Sequence, residues 1–166
     1  MSDDRDLSNP DRFTVGALGE PGDRLFLLQC QQGAERLVVK IEKQQVAVLA
    51  SYLARIVREL GQPGSLPADT FEENDEFDWV VRTIGVSFDE DANRVVIVLE
   101  EQAEEESDDT GNVARISLSV EQAAAFAIRA TQLVEAGRPP CPLCGLPLDA
   151  SGHVCPRQNG HRASRA

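Results

Sequence analysis

The sequence predicts an α+β protein whose body is a duplicated β-β-β-α unit, arranged as an antiparallel sheet or open barrel with two helices, with a small C-terminal zinc-knuckle tail. Three observations lead to this. The order strand, strand, strand, helix occurs twice between residues 11 and 137. The apolar positions of the two amphipathic helices coincide when one is shifted by 77 residues. Three of the four cysteines fall, with a histidine, inside residues 141–155 at the proline-rich end of the chain.

Residues 1–10 are polar and without periodicity, and are expected to fray. The first strand begins at Arg12-Phe13-Thr14-Val15-Gly16-Ala17 and turns through Glu20-Pro21-Gly22-Asp23 into Arg24-Leu25-Phe26-Leu27-Leu28-Gln29-Cys30, a hairpin by its turn residues. Cys30 reads as a buried strand residue. Gln32-Gly33-Ala34 turns the chain into a third strand over residues 36–41, rich in β-branched side chains. The period then changes from two to 3.6. Val46, Leu49, Ala50, Leu53, Ile56, Val57 and Leu60 share one helical face over residues 43–60, and Gly61 ends the helix.

Residues 61–78 hold Gly61, Pro63, Gly64, Pro67 and six acidic side chains from Asp69 to Asp78, with Phe71 and Phe77 as the candidate anchors, and read as a linker. The same programme then returns. Strands are predicted at residues 81–86, 94–99 and 113–118, and a helix over 120–136 closed by Gly137. Thr14-Val15-Gly16-Ala17 matches Thr83-Ile84-Gly85-Val86, and Arg24-Leu25-Phe26-Leu27-Leu28 matches Arg94-Val95-Val96-Ile97-Val98. Val46, Leu49, Ala50, Leu53, Ile56 and Val57 fall on Ala123, Phe126, Ala127, Ala130, Leu133 and Val134. The predicted organisation is therefore a domain over 11–137, with repeats 11–60 and 79–137 related by a pseudo-two-fold and joined by the acidic linker 61–78. A zinc-binding tail over 138–161 follows, and residues 1–10 and 162–166 are flexible ends.

In the tail, Cys141-Pro142-Leu143-Cys144-Gly145 places two thiolates on one tight turn, and His153-Val154-Cys155 presents a second pair from an extended segment. Cys141, Cys144, His153 and Cys155 would close a tetrahedral Cys₃His shell around one structural zinc per chain, with no position open to substrate. His153 is preferred to His161 because one residue couples it to Cys155. A redox dithiol at Cys141 and Cys144 is the competing reading. Such a motif normally opens a helix, which Pro139, Pro140 and Pro147 disfavour here.

The formal net charge is −12. Residues 138–166 carry four arginines against Asp149, or +3, which leaves −15 on residues 1–137. So acidic a body repels polyanions and argues against nucleic acid as a partner, Arg157, Arg162 and Arg165 being its only candidate contacts. No apolar run is long enough to span a bilayer and no signal-peptide pattern begins the chain, so a cytoplasmic location is expected. Glu100 to Asp109 places seven carboxylates in ten residues without a calcium-loop pattern, and reads as a solvated hairpin loop. Trp79 and Tyr52 read as packing residues. There is no Ser-His-Asp set and no phosphate-binding glycine loop.

The run from Glu42 to Ala50, the Gly19-Glu20-Pro21-Gly22 turn and above all the segment Gly137 to Asp149 with Gly152 to Gly160 resemble an uncharacterised family of actinobacterial proteins, a domain of unknown function. The resemblance spans nearly the whole chain, and its tail pattern includes a histidine at the position of His153. It implies a cytoplasmic actinobacterial protein encoded alongside a histidine-phosphatase-like and a lipid-kinase-like protein, and supplies no activity. The leading functional expectation is a non-enzymatic zinc-binding adaptor or regulatory module working through protein contacts. The alternative is an enzyme of unfamiliar type with its site in the groove between the repeats, where Glu42, Lys43 and Gln45 are the nearest candidates.

Overall fold

A computed structural model describes residues 4–20, 22–61, 71–102 and 111–136. Its elements run β1 (Arg5–Leu7), β2 (Arg12–Leu18), β3 (Leu25–Gln32), β4 (Glu35–Ile41), α1 (Lys43–Glu59), β5 (Trp79–Asp89), β6 (Arg94–Glu101), β7 (Val113–Ser119) and α2 (Val120–Ala136). The fold is α+β, with one seven-stranded sheet in the order β1-β7-β6-β5-β4-β3-β2 and two helices packed on each other.

The expected antiparallel sheet is in fact mixed. Neighbours within β2-β3-β4 and within β5-β6-β7 are antiparallel, but β4 pairs parallel with β5 and β1 pairs parallel with β7. The cause is the connection between β4 and β5. A helix carries the chain back along the sheet before β5 starts, which is the geometry that yields a parallel neighbour.

The sheet cannot be flat. Seven flat strands would hold the two edges ~29 Å apart. The edge strands β1 and β2 are nonetheless joined by residues 8–11 alone, a stretch reaching at most ~18 Å. The sheet must curl until its edges face each other across this corner. Both sides hold the corner: Arg94 at the start of β6 donates to Ser8 O at 3.0 Å, while Asn9 N donates to the Gln32 side chain at 2.7 Å and Gly33 N to Asp11 Oδ2 at 2.7 Å.

Residues 5–10, expected to fray, therefore take part in the fold. Arg5, Asp6 and Leu7 pair with Ala114, Arg115 and Ile116, and Leu7 is completely buried. Burying one leucine stabilises by about 1.5–3 kcal/mol, a contribution that a local count of polar residues does not register.

Elsewhere the local signals work as chemistry requires. The β3-β4 hairpin turns on Gly33 and Ala34, with Gly33 at φ 59, a conformation a side chain disfavours. Gly61, at φ 69, ends α1 by donating to Arg58 O at 3.0 Å. One apolar cluster joins the core face of the sheet (Val15, Leu28, Cys30, Val39, Ile97 and Ile116 among others) to Leu49 and Leu53 of α1 and Phe126 and Ala130 of α2. Trp79 is buried in it, as expected. Among the described residues no helix is long and apolar enough to cross a membrane.

The outer face of β2-β3-β4 is covered by residues 71–78, the end of the stretch read as a linker. Gln29 is buried completely and pairs its amide with the backbone of Glu72: Nε2 donates to Glu72 O at 2.8 Å and Oε1 accepts from Glu72 N at 3.0 Å. The Glu72 carboxylate meets Arg36 at 2.6 Å and Arg12 at 3.5 Å, and Asp78 exchanges two bonds with the backbone of Val38. Phe71 lies over Gly16, where a Cβ would stand 2.2 Å from its ring. Of the two candidate anchors Phe71 serves and Phe77 is exposed. Residues 62–70 and the centre of the acidic loop, 103–110, lie outside the described residues.

Candidate functional site

Each helix lies against the free edge of a strand in the other half of the chain: α1 against β5 and α2 against β2. Both helices are set there by the same device. Gln45 in the first turn of α1 accepts Glu42 N at 2.8 Å and donates to Arg82 O at 3.1 Å, and Gln122 accepts Ser119 N at 3.0 Å and donates to Pro10 O at 2.8 Å. Each glutamine thus caps its helix and ties that helix end to backbone distant in sequence, Gln45 to β5 and Gln122 to the corner between β1 and β2.

The α2/β2 seam is closed. Phe126 and Phe13 put their ring centroids 4.6 Å apart, and Arg129 Nε donates to Val15 O at 2.8 Å. Arg24 adds a bond to Leu133 O at 3.3 Å.

The α1/β5 seam is open and holds a cleft of about 630 Å³. The first three turns of α1 form one wall, with Gln44, Gln45, Val48, Leu49 and Tyr52 below the preceding Glu42. Arg82, Ile84 and Val86 of β5 form the other. Tyr52 is 51% exposed and Val48 48%. A shallower hollow of about 340 Å³ continues from these two around the helix to Ala47, Ser51 and Arg55. Tyr52, expected to be a packing residue, is instead the largest side chain on the rim.

Of the groove candidates, Glu42 and Gln45 line the cleft and Lys43 does not. Gln45 is committed to holding backbone, and Arg82 lies 3.4 Å from Glu100, which also accepts from the Thr83 hydroxyl at 2.9 Å. Besides Gln45 the lining supplies one carboxylate, one phenol, one guanidinium and the Gln44 amide around an apolar floor. Such a set suits seating apolar groups with a few directed polar contacts.

The sequence marked the Glu42 to Gln45 wall, because a polar run opening a helix at a strand end is visible locally. It did not mark Tyr52, Ile84 or Val86, whose opposition depends on how the helix of one half crosses the strand of the other.

The metal-ligand candidates Cys141, Cys144, His153 and Cys155 lie outside the described residues, as do His161 and the three tail arginines. Among the described residues no group of three or more His, Cys, Asp or Glu side chains is placed to hold a metal ion.

A search of curated proteins finds no match. A family model does match, over residues 5–155, a span that takes in both helix-strand seams and runs through the four tail positions, and the chain belongs to that family, described as Protein of unknown function (DUF3090).

Proposed function

We propose that the protein is a non-enzymatic recognition module of the cytoplasm, built from a duplicated β-β-β-α unit, that binds another protein through the α1/β5 cleft and carries a structural zinc in its tail. The observation behind this is the contrast between the seams, one filled by its own side chains and the other left open with an exposed tyrosine and valine on its rim. Tyrosine and arginine are among the residue types most enriched at protein-recognition hot spots.

Duplication is supported by the shared element order and by Gln45 and Gln122, which are 77 residues apart and each accept the N–H three residues before while donating to a distant backbone carbonyl. The motif match of the second strands needs adjusting. Val15 pairs with Leu28 while Ile84 pairs with Leu99, so β3 and β6 correspond at 71 residues, and the spacing of 70 taken from the arginines would put side chains on opposite faces. Zinc is supported by the donor set alone, three thiolates and an imidazole at ligand spacing, and the family match extends to Cys155, the last of the four. The zinc would order a tail with almost no apolar core and make it either a second contact surface or a brace on the acidic body. The histidine-phosphatase-like and lipid-kinase-like proteins that the family resemblance implies are encoded alongside would be the first partners to try.

The test is affinity capture with the whole chain, with Val48→Asp and with residues 138–166 deleted, alongside elemental analysis after chelator-free purification. A partner retained by the whole chain and lost by Val48→Asp is expected, with one zinc per chain that Cys141→Ser removes. Partners indifferent to Val48→Asp would sink the cleft as the recognition surface, and a protein free of zinc would sink the metal site.

A further inference from the structure

We propose that the α1/β5 cleft binds its partner as an added strand: an extended polypeptide segment, apolar at alternate positions and flanked by lysine or arginine, pairs with the open edge of β5. The proposal rests on the reading of the cleft as a recognition surface and specifies how that surface works.

The backbone requires an explanation first. β5 is eleven residues long, yet only Trp79 and Val80 pair with β4, at Val39 and Lys40, because β4 ends at Ile41 and the chain turns into α1. From Thr83 to Asp89 the strand is paired with β6 on one side, and no strand among the described residues lies on the other. Gln45 takes the carbonyls of Val81 and Arg82, at 3.4 and 3.1 Å, at the bulge where the β5 register shifts, and so caps the near end of this edge. Beyond it a strand paired on one side only leaves alternate N–H and C=O groups without a partner from any described strand, at the repeat of an extended chain.

The side chains fit the same occupant. Ile84 and Val86 are two residues apart on β5, and across the cleft stand Val48, Leu49 and Tyr52. A strand laid between them would direct every second side chain into that apolar space, the arrangement of an edge strand and a helix that recognises peptides by strand addition. The closed seam shows the same edge chemistry satisfied from within, since Arg129 Nε bonds Val15 O on the edge of β2 beside the tilted ring pair of Phe13 and Phe126. The chain's net charge of −12 speeds encounter with a basic segment, while the cleft itself offers Glu42 as its acidic contact and Arg82 against it.

The probe is a phage-displayed library of random ten-residue peptides, panned on the full chain and counter-selected on Val48→Asp, whose half-exposed position leaves folding intact. The best peptide is then resynthesised with N-methyl groups on alternate amides, in each of the two phases. One phase is expected to weaken binding about tenfold or more while the other does not, because only alternate amides of an added strand face β5. Amide exchange within residues 83–89 is expected to slow on binding. Peptides that need Val48 but tolerate both methylation phases overturn strand addition and leave cleft recognition standing. No peptide that distinguishes the chain from Val48→Asp overturns both. Binding seen only after residues 138–166 are deleted would assign the cleft to the chain's own tail, and a dimer that Val48→Asp dissociates would assign it to a second copy; either result overturns the proposal.

Discussion

The seam of α2 on β2 and the seam of α1 on β5 each have a helix-capping glutamine, yet one is filled by a ring pair and the other holds a cleft. The difference lies in few side chains. Where the closed seam has Phe13 against Phe126 and Arg129 on Val15 O, the open one has Arg82 turned to Glu100, Leu49 on the floor and Tyr52 half exposed. A ring pair and a charge-assisted bond to backbone close an interface, and a smaller residue with an outward arginine leaves it open. The outer faces differ in parallel. Gly16 on β2 lies beneath Phe71, while Gly85 on β5 has no described residue within 4 Å of where a Cβ would stand.

The largest effect expected from breaking this comparison is in the aromatic pair. Phe126→Ala should cost about 3–5 kcal/mol, because it empties a fully enclosed ring site. Tyr52→Ala, on the open rim, should change stability by no more than about 0.5 kcal/mol. Urea denaturation of both variants measures the contrast, and equal losses would mean that Tyr52 is structural.

Next comes the strap over the first half. Gln29→Leu should cost about 2–3 kcal/mol, since it strands the Glu72 N–H and C=O and an Arg12 bond to the lost Oε1 at 2.9 Å. Proteolysis should then cut within residues 71–78 while the core stays resistant. Core and strap melting together would show that they form one cooperative unit.

A smaller difference separates the glycines. Gly16→Ala should lose about 1–3 kcal/mol by displacing Phe71, whereas Gly85→Ala should be neutral or stabilising by about 0.5–1 kcal/mol, as alanine loses less backbone freedom. Thermal melts of the pair decide this, and matching losses would contradict the open outer face of β5.

The smallest change in stability, and the sharpest test of the comparison, is the double variant Arg82→Phe with Tyr52→Arg, which carries one ring and the arginine of the closed seam into the open one above Leu49. It forgoes one exposed ion pair worth about 0–1 kcal/mol, so folding should persist within about 1 kcal/mol while peptide or partner binding is lost. Retained binding would move the recognition site away from the cleft.

Much of the body was legible in the chain because its signals are local. The change of period at residue 43, the Gly33 turn, the Gly61 stop and the repeated strand order depend only on near neighbours, and the strands and helices lie within a few residues of where those signals put them. The spacing of Cys141, Cys144, His153 and Cys155 is likewise a property of sequence alone, and these residues lie outside the described ones. The parallel joints, the pairing of Arg5–Leu7 with β7, the burial of Gln29 under residues 71–78 and the opening beside Tyr52 were not legible. In each, a residue meets a partner from the other half of the chain or beyond a long connection. Propensity says how a segment folds but not what lies across from it, and only the curled sheet, by bringing its two edges together and setting each helix on the opposite half, decided which strand edge was sealed and which was left open.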